Sequence, residues 1–157
     1  WEGALREAVL AFKFGGRTGL AAPLGALVAH AAEQLPEAPE RVVAVPMPAP
    51  RLAARGFNQA ALLARAVGRE MALPFDAAAL VRRADAPRQA RGSRATRAAN
   101  VRDAFAADPR AVEGRVVLLV DDVLTTGATA NAGARALRAA GARSVLVATV
   151  ARATLAA

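Results

Sequence analysis

The chain has 157 residues, with 21 Lys and Arg against 13 Asp and Glu, a net charge of +8, one His and no Cys. That length suits a single domain, 1–157, able to bury roughly two-thirds of its unfolded surface. The absence of Cys excludes disulfides, thiolate metal sites and cysteine nucleophiles and suits a reducing, cytoplasmic setting. A single His excludes a histidine-rich metal site and a conventional Ser-His-Asp triad.

Apolar residues at Leu5, Val9, Leu10 and Phe12 keep helical spacing and predict a helix over 2–12, ending before Gly15-Gly16. A second helix opens at Thr18 or Gly19 and runs to about Gln34; His30 lies on its Ala/Leu surface and reads as structural. Arg41-Val-Val-Ala-Val-Pro46 is an unbroken β-favouring run of the kind covered on both faces, which predicts a central parallel strand. Pro46, Pro48 and Pro50 stop that strand and make a stiff loop. Phe57 and Leu62 flank Asn58 as a hydrophobic staple around a helix cap, opening a helix to about Met71 with Leu63, Val67 and Met71 inward.

After a weak segment to Leu80-Val81, residues 82–102 hold seven Arg and one acid, Asp85, without a core-forming period, and read as a mobile basic excursion. Arg115 to Val120 is a second buried strand, Gly127 to Ala140 an Ala-rich helix closed by Gly141, and Arg143 to Val150 a third strand. The alternation predicts an α/β fold, a parallel sheet flanked by helices with right-handed crossovers. The loops after Val45 and Val120 then share one sheet edge, where such sheets bind ligands.

Composition narrows the chemistry further. Of the apolar residues, 45 are Ala and 41 are Val, Leu, Met, Phe or Trp, an adequate core. Lys13 stands alone beside 20 Arg, a bias that GC-rich coding produces, so Arg reads partly as substituted Lys. The longest charge-free stretch, Thr18 to Ala32, is interrupted by Pro23 and too weakly apolar to cross a bilayer, so no membrane insertion is expected. Neither Ser93 nor Ser144 lies in a hydrolase nucleophile turn, and no P-loop or dinucleotide glycine string occurs. The excess positive charge favours a polyanion, either a phosphorylated small molecule or nucleic acid.

Residues 117–129 read Val-Leu-Leu-Val-Asp-Asp-Val-Leu-Thr-Thr-Gly-Ala-Thr. A helix N-terminus offers unpaired N–H groups and a positive dipole end to a phosphate. Thr125, Thr126 and Thr129 add hydroxyl donors, while Gly127 lets the backbone come close. Three of the nine Ser and Thr residues fall in those five positions. Asp121 and Asp122 accept hydrogen bonds only, which suits two neighbouring sugar hydroxyls. Alone, that pair reads equally as solvated residues ending a strand; beside the threonine cradle it points to a pentose 5-phosphate.

This string resembles the phosphoribosyl pyrophosphate (PRPP) motif of type I phosphoribosyltransferases. The rest of the chain is similar to the ComF competence-protein branch through Phe12-Lys-Phe-Gly15, Val45-Pro-Met-Pro48, Arg55-Gly-Phe-Asn-Gln59, Gln89, Arg97-Ala-Ala-Asn-Val101, Phe105 and Val145 to Arg152. The resemblance implies that Asp121 and Asp122, as catalytic residues, hold the ribose hydroxyls of PRPP or a related phosphorylated pentose, and that Thr125 to Thr129 hold its 5-phosphate. It makes Pro46 to Arg51 a pyrophosphate loop, with Met47 and Pro48 in it and Arg51 or Arg55 as counter-charges. Residues 82–102, with Arg91, Arg94 and Arg97, become a flexible hood, against the plain reading of a solvated Arg-rich loop; Arg55 to Gln59 reads equally as a good helix start.

The same resemblance implies Mg²⁺ carried on PRPP with no direct protein ligand, pentosyl transfer with pyrophosphate release, a role in natural competence and DNA uptake, and a homodimer as an admissible assembly. Two other expectations stand beside it: a protein that handles single-stranded DNA without turnover, and a PRPP sensor on the same fold. The cysteine-rich zinc segment common in the family is absent, and the chain starts at Trp1 without Met, so a shortened or divergent member is expected. Ala86, Gly92 and Thr96 depart from the usual hood residues, and Thr125 stands where purine-salvage relatives place an Asp, so a purine acceptor is not expected.

Overall fold

In the computed structural model, which describes residues 3–83 and 104–153, the chain runs from α1 (Gly3–Phe14) through a 3-10 turn (Thr18–Leu20) to α2 (Ala21–Ala32) and β1 (Arg41–Ala44). There follow α3 (Ala49–Arg55), α4 (Gln59–Glu70) and a short hairpin, β2 (Leu80–Arg82) with β3 (Phe105–Ala107). Then come α5 (Pro109–Val112), β4 (Val116–Leu124), α6 (Ala128–Ala139) and β5 (Ser144–Arg152).

Val116 to Val120 are wholly buried, as a strand with a layer on each face must be. β4 is the middle strand of a parallel sheet ordered β1-β4-β5, with Arg41 opposite Val117 and Val116 opposite Ser144. α2 and α4 pack on each other, α4 lying against β1 and β4 and α2 against β5; α6, with the β2–β3 hairpin on it, packs on β4 and β5. Apolar contact between these layers and the strands forms one core, from Phe12 and Leu24 through Leu63 and Leu118 to Leu137.

β1 is parallel, as its apolar run predicts, but it lies at the sheet edge and not at the centre. Its outer side meets only a short extended segment, where Val42 donates to the Pro74 carbonyl at 3.0 Å and bridges to Phe75. Val42 and Val43 are buried at this edge all the same, so an apolar run in the sequence does not report lateral neighbours.

Three further differences have local causes. The proline-rich stretch is a loop only to Pro48, because Pro50 sits in the first turn of α3, where its missing N–H leaves no helix bond unmade. Arg82 belongs to β2, opposite Phe105, with its guanidinium 5.5 Å over that ring, and Arg83 donates to Ala104 at 2.9 Å; the basic stretch therefore starts beyond Arg83. β4 continues four residues past Val120, so Asp121 stands within the ladder opposite Thr149. His30 is a solvent-facing residue of α2, 3.4 Å from Glu33. Among the described residues, no helix is long and apolar enough to cross a membrane.

The α2–α4 contact is set by a glycine. A methyl group on Gly25 would collide with Ala66 Cβ, so the two helices approach only because that position is bare. Gly25→Ala is expected to lower stability by about 1–3 kcal/mol in denaturant unfolding, the overpacking cost exceeding the gain in helix propensity. Adding Ala66→Gly should recover most of the loss; simple additivity of the two changes would refute direct contact.

Candidate functional site

β1 and β4 run side by side, but the chain leaving β1 returns to the Phe75 side and the chain leaving β4 crosses to β5. The loops at their carboxyl ends consequently part and open a crevice, the topological switch point where α/β sheets hold ligands. A cleft of about 310 Å³ lies there. Its one wall carries Met47 and Pro48 from the loop after β1 with Arg51 and Arg55 from α3; its other carries Asp121 and Asp122 from β4 with Thr129 from α6.

Seven of the residues expected from the sequence are thus brought together. Thr125, Thr126, Gly127 and Ala128 form the adjoining turn and do not line the cleft. Gly127 has φ +76°, a left-handed conformation strained for any side chain, and the turn is closed only by a 3.4 Å bond from the Ala128 N–H to Thr126 Oγ1. Gly127 makes no side-chain cap, so apart from that Ala128 bond the first turn of α6 offers its N–H groups to an anion. Arg91, Arg94 and Arg97 lie outside the described residues.

The cleft also holds Arg82, the first residue of the expected hood, and Lys13, Asn58 and Gln59, which the sequence reading did not place in the site. Asn58 Oδ1 caps α4 by accepting from the Ala60 N–H at 3.1 Å, and its Nδ2 donates to the Val45 carbonyl, just past β1, at 3.0 Å. Gln59, 1% exposed, donates from Nε2 to the Lys13 carbonyl at 3.2 Å. The Arg55 to Gln59 segment is therefore both a helix start and a clamp that fixes the proline loop and the end of α1. At that end three neighbours diverge: Phe12 enters the core, Lys13 enters the cleft, and exposed Phe14 lies under the Arg55 guanidinium at 5.4 Å. The Phe-Lys-Phe string was the only sequence signal for Lys13.

The two carboxylates differ. Asp121 Oδ1 accepts from the Asp122 N–H at 2.9 Å, and Asp122 Oδ1 accepts from the Val123 N–H at 2.7 Å. Asp122 Oδ2 is 3.1 Å from Lys13 Nζ. Burial, and then the neighbouring Asp122 charge, pushes the Asp121 carboxyl up to about 6, against the opposing pull of the Asp122 N–H and the Lys13 ammonium. Four cations, Lys13, Arg51, Arg55 and Arg82, face these two acids. Such a cleft accepts a multiply charged anion that also presents hydroxyl donors. Among the described residues no group of three or more His, Asp or Glu could hold a metal.

Residues 25–154 match the family model described as the phosphoribosyl transferase domain. The chain is 35% identical over 140 residues to the DNA utilization protein YhgH of Escherichia coli K12, covering 86% of this chain and 61% of that protein. It is 36% identical over 118 residues to competence protein F of Haemophilus influenzae, covering 73% and 51%. The chain thus spans about three-fifths or less of the length of these relatives. In fold it is similar to the glutamine PRPP amidotransferase of B. subtilis, at a TM-score of 0.62 and 21% identity over 90% of this chain and 30% of that one. It is also similar to the APRTase of Giardia lamblia, at 0.56 and 17% over 89% and 83%. The chain belongs to the phosphoribosyl transferase domain family, on its competence-protein F (ComF) branch.

Proposed function

We propose that the cleft binds PRPP and that the protein is a phosphoribosyltransferase serving DNA uptake. The observation that carries this reading is the placement of Asp121 and Asp122 across one cleft from Arg51 and Arg55, beside the uncapped α6 N-terminus. A sugar diol meets acceptors there, a 5-phosphate meets open N–H groups and the hydroxyls of Thr126 and Thr129, and a diphosphate meets the guanidinium groups of α3.

Mg²⁺ would be carried on oxygens of the ligand and would supply neutralisation of the diphosphate charge, in a cleft whose carboxylates are Asp121 and Asp122. The side chains supply position and electrostatics. Asp121 and Asp122 fix the ribose by its hydroxyls, and Arg51 and Arg55 stabilise negative charge as the bond from the anomeric carbon to diphosphate breaks. A nitrogen nucleophile from a second substrate completes the transfer, so no protein nucleophile is required.

A second reading, direct binding of single-stranded DNA, is favoured by the net charge of +8 and by the names of the relatives. With three phosphates neutralised, affinity for an oligothymidylate should fall about twentyfold between roughly 50 and 200 mM salt, and weaken in an Arg91→Ala/Arg94→Ala variant. Binding indifferent to both would remove this reading.

Mg-PRPP at about 100 times its Kd adds ~2.7 kcal/mol of stability and should raise the thermal midpoint by about 5–10 °C in scanning fluorimetry. Asp122→Asn and Thr126→Ala should each reduce that rise by at least half. No shift at millimolar PRPP defeats the proposal, and a shift without diphosphate release against a panel of amines and bases assigns the site to sensing.

Asp121 gives a pH test. Its raised carboxyl holds a proton more tightly in the folded chain than in the unfolded one. Below about pH 4 the resulting stabilisation is fully present, and it is lost as pH rises through about 6. Asp121→Asn is therefore expected to be more stable than the parent at pH 8, by on the order of 2 kcal/mol, with the difference vanishing near pH 4. A pH-independent difference in unfolding midpoint would contradict this.

A further inference from the structure

Lys13 is the chain's one lysine among 21 basic residues, and it sits inside the cleft. Its carbonyl is gripped by buried Gln59, whereas its ammonium, at the far end of a flexible stem, pairs with Asp122 Oδ2 at 3.1 Å. Asp122 Oδ1 is already taken by the Val123 N–H. Both oxygens of Asp122 are thus engaged, Oδ2 by Lys13, so a sugar hydroxyl arriving at Oδ2 shares that oxygen with the ammonium. Arg51 and Arg55 stand on the facing wall of the same cleft, and a diphosphate drawn to them competes with Asp122 for the lysine.

We propose that Lys13 couples the two halves of the cleft: it pairs with Asp122 in the free protein and transfers to the diphosphate oxygens, so that diphosphate and sugar phosphate bind cooperatively. This rests on the PRPP reading of the site and adds to it a positioning residue on α1. A lysine suits the transfer because its ammonium is a compact charge with rotatable donors. An arginine in its place would grip the carboxylate through a planar fork and release it less readily. Coupling between sites is reciprocal, so each ligand tightens the other by the same factor.

The test is calorimetric titration of ribose 5-phosphate with and without saturating Mg²⁺ and inorganic diphosphate, and the converse titration. In the parent protein diphosphate should tighten ribose 5-phosphate binding by about fivefold or more, with the same factor in the converse order. Lys13→Met should reduce the factor to about one while binding ribose 5-phosphate alone at least as tightly as the parent, since Asp122 is freed. Lys13→Arg, which keeps the charge and the pairing, should show a factor below that of the parent. If the parent binds both ligands without coupling, or coupling survives in Lys13→Met, this proposal fails alone. If the parent binds neither ligand, the PRPP reading fails and this proposal with it.

Discussion

The parallel pairing of β1 with β4 decides where everything else in the site can be. Its last rung is the bond from the Val45 N–H to the Val120 carbonyl, 2.9 Å long. Up to that bond the two strands share a ladder; beyond it the chain leaving β1 turns into α3 while β4 continues beside β5 alone. Backbone freed at that point has to find other partners, and the polar side chains that flank it become the walls of a cleft. Fold and site are thus consequences of one ladder ending in one place.

The starts of the same strands are held differently. Glu40 Oε2 accepts from the Val116 N–H at 2.7 Å and from Arg143 Nη2 at 3.2 Å, and Arg143 Nε lies 3.4 Å from Glu37. Charged side chains thereby join the beginnings of β1, β4 and β5 on the edge away from the cleft. Exposed ion pairs of this kind contribute little stability. Their geometric effect is larger, because aligning the strand starts fixes the register at which Asp121 stands beside the end of β1.

Much of this was legible in the amino-acid order, and the limits of legibility follow distance along the chain. The Val and Leu run before Asp121, the Asn58 cap and the Thr-Thr-Gly turn are local patterns whose physics acts over a few residues, and each stands where those patterns put it. Lys13 and Gln59 meet across 46 positions, and nothing near either one signals that contact. β2 and β3 are three-residue strands defined only by each other, so Arg82 could not be separated from the basic stretch by composition. The edge position of β1 was hidden because its valines are as buried as those of the middle strand. In the threonine turn the residue types marked the place, but only Thr129 faces the cleft itself.

The attachment of α1 has a consequence for where this protein's working unit begins. The family match starts at residue 25, whereas Lys13 lies upstream of it, joined to the site through Gln59 and Asp122. A fragment trimmed to the recognisable domain would keep both aspartates and the whole sheet yet discard the cleft's one ammonium group. The boundary that homology draws and the boundary that electrostatics draws are different, and a minimal unit cut for biochemical work should follow the second.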